Sequence, residues 1–85
     1  MIYFTLYSRS YCHLCDDMLA ALRAQLGEIP ADIRILDVDA DPVLLDRYDE
    51  LVPVLKGRHD DGTDSELCQY FLDVDGLSRF IALRP

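Results

Sequence analysis

The chain has 85 residues, 51% of them apolar, with 16 acidic against 8 basic side chains and a formal charge of −8. A chain of that size folds as one domain that buries roughly 60–70% of the surface its unfolded form exposes, so residues 1–85 are expected to form a single domain without staples. The negative charge repels phosphate backbones and anionic lipid, which argues against nucleic acid and membranes as partners, and three cysteines, an odd number, do not make a disulfide framework.

Residues 2–7, "IYFTLY", are β-branched and aromatic and predict a buried first strand. After the polar stretch Ser8 to Tyr11, apolar residues fall at Cys15, Met18, Leu19, Leu22 and Leu26, which predicts a helix over Cys12 to Leu26 stopped by Gly27. The longest unbroken apolar run, Met18 to Leu22, is too short to cross a bilayer or to form a signal-peptide core. The default compartment is therefore the cytosol, where thiols stay reduced.

Past Pro30, "DIRILDVD" predicts a second strand with both faces partly covered. Asp41 followed by Pro42 is a helix start, an N-cap with proline at the first helical position, and opens a short second helix. "LVPVLKGRH" predicts a third strand that carries Pro53 inside it, where normal pairing fails for want of an N–H. The Asp-Gly of "DDGTD" joins it by a hairpin to a fourth strand, "SELCQYFL". Leu77, Phe80 and Ile81 return to helical spacing at the end.

The order is thus β-α-β-α-β-β-α, an α/β domain. Its first strand, helix and strand make a right-handed parallel unit and its last two strands an antiparallel pair. The expected architecture is a four-stranded mixed sheet flanked by three helices.

Cys12 and Cys15 carry the chemistry, and three uses of the pair can be weighed. As a staple, a bridge over about four residues constrains the unfolded chain by only about 2 kcal/mol. As a zinc site, the pair supplies half the ligands; Cys68, His13 and His59 do not form a second pair at ligand spacing, so no metal is expected. As a redox couple, the pair is well placed. Cys12 at the mouth of a helix meets unpaired N–H groups and the positive end of the dipole, which favour the thiolate. Cys15, one turn in, is more enclosed. Cys12 would then attack a target disulfide and Cys15 would resolve the mixed disulfide. Arg9 and protonated His13 would add positive charge beside the thiolate. Cys68 is expected to be a small core residue. "DVDADP" mimics a calcium loop, but Pro42 occupies the glycine position and Tyr48 that of the bidentate glutamate, so no calcium site is expected.

These residues resemble the glutaredoxin branch of the thioredoxin superfamily. "LYSRSYCHLC" after the first strand and "LVPVL" at the third carry the likeness, which spans nearly the whole chain and is greatest to the short bacterial glutaredoxin-like proteins. The resemblance implies a cis Pro53 against the cysteines, with Val52 pairing its N–H and C=O with a substrate chain as an added strand. It places Arg9 against a glutathione carboxylate and Asp75, opening the last helix, against the glutathione amino group. Two departures stand out: Leu72, Asp73 and Val74 lie where the family carries a glycine pair, and His13-Leu14 replaces the usual Pro-Tyr.

The function implied is that of a monomeric, cytoplasmic thiol-disulfide oxidoreductase. It would bind no cofactor of its own, act on a disulfide-containing protein or a low-molecular-weight thiol, and take glutathione as a reductant. An adaptor domain, or a carrier of an iron-sulfur cluster between two copies, is the alternative.

Overall fold

The computed structural model describes residues 1–83; the expected domain end at residue 85 lies outside the described residues. Strand β1 spans Ile2–Ser8, helix α1 His13–Leu26, β2 Ala31–Asp37, α2 Pro42–Tyr48, β3 Val54–Arg58, β4 Asp64–Gln69 and α3 Val74–Ala82, with a 3-10 turn at Val38–Ala40 before α2. The strands form one mixed sheet in the order β2-β1-β3-β4. β1 pairs in parallel with β2 and antiparallel with β3, and β3 pairs antiparallel with β4.

Alternation along the central strand β1 sorts its side chains between two layers. Ile2, Phe4 and Leu6 point into the main core, where they meet Leu55 of β3, Met18, Leu22 and Leu26 of α1, and Leu77 and Phe80 of α3. Each large side chain so buried contributes about 1.5–3 kcal/mol. Tyr7, on the opposite face, joins a second cluster built by Val38, Tyr48 and Val54 under α2. α1 and α3 thus cover one face, and the short α2 covers one end of the other.

The helix ends are set by local chemistry. The Asp41 carboxylate accepts the Val43 N–H at 2.9 Å and Pro42 begins α2, as the sequence indicates. Gly27, at φ 55°, ends α1 in the left-handed region and returns its N–H to the Arg23 carbonyl at 3.1 Å. The hairpin turn closes through His59 N–H to the Thr63 carbonyl at 2.9 Å, with Gly62 at φ 90°.

Four expectations are corrected. β2 ends at Asp37, because the Asp37 carboxylate takes the Asp39 N–H at 2.9 Å and turns the chain into the 3-10 segment. It is an edge strand, so Ile35 is 48% exposed instead of covered on both sides. Pro53 precedes β3 rather than interrupting it; the Val52–Pro53 bond is cis and the Pro53 carbonyl accepts the Tyr70 N–H at 2.9 Å. β4 ends at Gln69, since Tyr70 takes a left-handed conformation at φ 65°.

Helix α3 is locked to the sheet around one glycine. Phe80 sits against Phe4, ring centroids 6.1 Å apart, and under His59 at 4.1 Å. His59 Nε2 lies 2.9 Å from the Phe80 carbonyl, and because a carbonyl only accepts, Nε2 carries the proton. The Phe80 ring also lies over Gly57, where a Cβ would come within 2.6 Å of Cε2. Gly57→Ala is therefore expected to destabilise the domain by about 1–3 kcal/mol through overpacking. The check is a urea titration in which the midpoint falls while the slope is kept; an unchanged midpoint would show that Phe80 moves aside freely.

Candidate active site

Cys12 is the N-cap of α1. Its backbone is extended, φ −105° and ψ 102°, and its Sγ accepts the Cys15 N–H at 3.1 Å, the place usually taken by a serine, threonine or aspartate oxygen. The Cys12 carbonyl accepts the Asp16 N–H at 3.2 Å. Cys12 and Cys15 are paired as a disulfide with Cα atoms 5.2 Å apart. Cys15 is 3% exposed and belongs to the buried stripe of α1, whereas Cys12 is half-buried at the mouth. The sulfur that outside molecules can reach is thus the one at the positive end of the helix.

The turn into this cap is strained. Tyr11 sits at φ 60°, a conformation that costs a residue with a Cβ about 1–2 kcal/mol, and its side chain is fully exposed. Arg9 holds the preceding segment. Its guanidinium donates to Asp39 at 2.7 Å and to the carboxylate and carbonyl of Asp49 at 2.9 and 3.2 Å. Hydrogen bonds to Asp39 and then Asp49 push its ionisation up. With two carboxylates on it, Arg9 has little field left to offer a thiolate and acts here as a clamp from the β1 exit to the end of α2. His13 is the first residue of α1 and is exposed.

The strand register brings Pro53 to the same end of the sheet. Tyr7, one residue before the end of β1, pairs with Val54, which follows Pro53. Tyr7 stacks on Tyr48 at 4.4 Å, and Lys56 Nζ lies 5.8 Å from each ring centre. Burial, then the neighbouring Tyr48, raises the Tyr7 hydroxyl above its ordinary pKa. Val52 differs from expectation: its N–H is donated to the Tyr48 carbonyl at 3.2 Å, because the chain leaves α2 in a tight turn. Among the described residues no hydrogen bond to the Val52 carbonyl is seen.

Asp75 lies in the first turn of α3 but is not its cap. Asp73 is the N-cap and its carboxylate accepts the Gly76 N–H at 3.0 Å; Asp75 stands exposed in the first turn. Both aspartates satisfy the local rule for a cap, and the packing of Leu77 and Phe80 decides between them.

Several site residues carry no motif. Asp39 and Asp49 are distant in sequence from Arg9. Tyr70 is pinned by its N–H to the Pro53 carbonyl and by its hydroxyl to the Glu50 carbonyl at 2.6 Å. Phe71, next to it, is 70% exposed. Only the run of aromatics in "CQYFL" hinted at them.

A four-stranded mixed sheet with a Cys-x-x-Cys pair at the first helix defines a thioredoxin-like fold of glutaredoxin type. The Glutaredoxin-like domain family (DUF836) matches residues 4–82, and the chain belongs to it. Protein Ne2328 of Nitrosomonas europaea, solved by NMR, is 32% identical over 93% of this chain and 89% of its own, with a TM-score of 0.78. The X. campestris protein XcR50 is 29% identical over 96% and 99%, with a TM-score of 0.63. Oxidised mitochondrial thioredoxin 3 of Saccharomyces cerevisiae shares the fold at 16% identity, covering 95% of this chain and 76% of its own with a TM-score of 0.68. No curated protein matches the chain.

Cys68 stands apart from the pair. It is half-buried against the main core, and burial, reinforced by the charges of Asp73 and Glu66, pushes its thiol up. A raised pKa favours the neutral thiol, so in the reduced protein Cys68 should alkylate only as pH climbs past the ordinary thiol value of about 8.5. Iodoacetamide labelling over a pH series, read by peptide mass, checks this; labelling of Cys68 as early as Cys12 would contradict it.

Proposed function

We propose that this domain is a thiol-disulfide oxidoreductase in which Cys12 is the nucleophile and Cys15 the resolving thiol. The observation that carries it is the Cys15 N–H donated to Cys12 Sγ at 3.1 Å at the start of α1. A thiolate accepts such a bond more strongly than a thiol or a disulfide sulfur, so the helix mouth favours the ionised form.

In the reduced domain the Cys12 thiolate attacks one sulfur of a target disulfide. A Cys12–target bond forms, the target's own S–S bond breaks, and the leaving thiolate takes up a proton. Cys15, having given up its proton, then attacks Cys12 Sγ. The mixed disulfide breaks, the second target thiolate leaves and is protonated, and the domain ends in the Cys12–Cys15 disulfide. Two electrons pass to the target. Enclosure of Cys15 keeps it from competing for outside disulfides, so the order of events follows from burial.

Val52 and Pro53 stand at the same end of the sheet, and the open Val52 carbonyl can take one hydrogen bond from a substrate chain. Oxidation of a second thiol partner, two glutathione molecules to their disulfide or another dithiol protein to its own, would restore the dithiol. This chemistry suits a reducing, cytoplasmic setting and a monomeric domain.

The trap is direct. Cys15→Ala, reduced and mixed with a small aryl disulfide, should accumulate an adduct on Cys12 seen as a mass increase, while Cys12→Ala should release no fast burst of thiol. Failure of Cys15→Ala to hold an adduct would remove the mechanism.

A further inference from the structure

Leu14, inside the Cys-x-x-Cys turn, forms one wall of a groove of about 230 Å³ between α1 and the segment joining β4 to α3. Met18 and Ala21 continue that wall, and Phe71 and Val74 form the other. Phe71 is 70%, Val74 42% and Leu14 37% exposed, so the apolar surface faces solvent beside the reactive turn. Its presentation is built in. Tyr70 and Tyr11 are the non-glycine residues with positive φ among the described residues, and they flank Phe71 and Cys12 in the chain. Tyr70 is fixed at both its N–H and its hydroxyl, and the Phe71 N–H folds back on the Gln69 carbonyl at 2.7 Å, which turns the Phe71 ring outward.

The charge of the groove has one sign. Asp17 lines it, Asp73 and Asp75 flank Val74 in sequence, and among the described residues no lysine, arginine or histidine lines it. Arg9, a cation near the pair in sequence, is held by Asp39 and Asp49. Glutathione has a carboxylate at each end and no bulky apolar side chain. It would bring like charge to the acidic rim and leave the apolar walls uncovered. A polypeptide with a large apolar residue next to its half-cystine and a lysine or arginine beyond it satisfies both features.

We infer that this groove is a substrate subsite selecting polypeptide disulfides flanked by an apolar and a basic residue, in preference to glutathione disulfide. The inference rests on the redox function proposed above and uses the same exchange: the domain's dithiol gives two electrons and two protons to the peptide cystine, releasing two peptide thiols.

Single-turnover reduction by the pre-reduced domain tests it with three symmetrical disulfides: a Leu-Cys-Lys peptide, a Leu-Cys-Glu peptide and oxidised glutathione, each followed by released thiol. The Leu-Cys-Lys disulfide should react about tenfold faster than glutathione disulfide, a ratio of the size apolar pockets provide. Its lead over Leu-Cys-Glu should shrink with added salt. In Phe71→Ser and in Val74→Ser, both changes at exposed positions, the ratio of Leu-Cys-Lys to glutathione disulfide should collapse toward unity. Equal rates for the three disulfides, or a ratio unmoved by both variants, overturn the subsite while a normal reaction with a small aryl disulfide keeps the redox function standing. Loss of reaction with the aryl disulfide as well overturns both.

Discussion

A sulfur that serves as a helix cap is the constraint around which this domain is arranged. For Cys12 to accept the Cys15 N–H, its backbone must be extended while the next residue is already helical, and the chain must arrive from β1 at the right angle. Tyr11 supplies the angle by taking a left-handed conformation. The helix itself is not free to adjust, because Met18, Leu22 and Leu26 are buried against Phe4, Leu6 and Leu55. Rigidity in the core is therefore transmitted to the position of one sulfur atom, which is what a site on a fixed element requires.

The acidic excess has a structural use that composition does not disclose. Asp37, Asp41, Asp61 and Asp73 each accept a backbone N–H at a turn or helix start, and Asp39 and Asp49 hold Arg9. Four side chains that read as a solvated surface are thus caps, each satisfying a donor that a turn or helix start would leave open. The consequence for chemistry is that little positive side-chain charge is left near Cys12. Backbone N–H groups and the helix dipole have to do the stabilising of an anion there, and these cannot be titrated away.

Patterns of short range were legible in the sequence. The spacing of Cys15, Met18, Leu22 and Leu26 marks α1, Asp41-Pro42 marks α2, Asp61-Gly62 marks the hairpin, and the alternation of Ile2, Phe4 and Leu6 marks the central strand. Decisions made by tertiary contacts were not. Whether Asp73 or Asp75 caps α3 depends on which register lets Phe80 lie over Gly57 and against Phe4. The exposure of Ile35 depends on β2 lying at an edge, which follows from sheet order and not from "DIRIL" itself. Arg9 looked like a cation for the thiolate because its partners lie 30 and 40 residues away. The commitment of the Val52 N–H was hidden for a similar reason, since it depends on how α2 ends.

The same end of the sheet is stiffened twice, by groups of different physical kinds. Arg9 joins the β1 exit to Asp49 at the end of α2 through charge, and Tyr7 joins the same two segments through its ring stacked on Tyr48. Lys56 lies near both rings, and its interaction with Tyr48 raises its pKa, so it stays charged while burial and Tyr48 keep the Tyr7 hydroxyl neutral. Salt screens an exposed ion pair but hardly touches a buried stack, so the two ties do not fail together. The stiff half of the site, Cys12 with its cap and the Pro53 corner, is held by these ties. On the other half, Phe71 is presented by hydrogen bonds of Tyr70 to carbonyls of Glu50 and Pro53, which hang on that same stiffened end. An apolar wall and the Cys12 sulfur are thereby referred to one frame, so a side chain seated as proposed would be positioned relative to Cys12 through hydrogen bonds to fixed backbone carbonyls and not by the flexible groups between them.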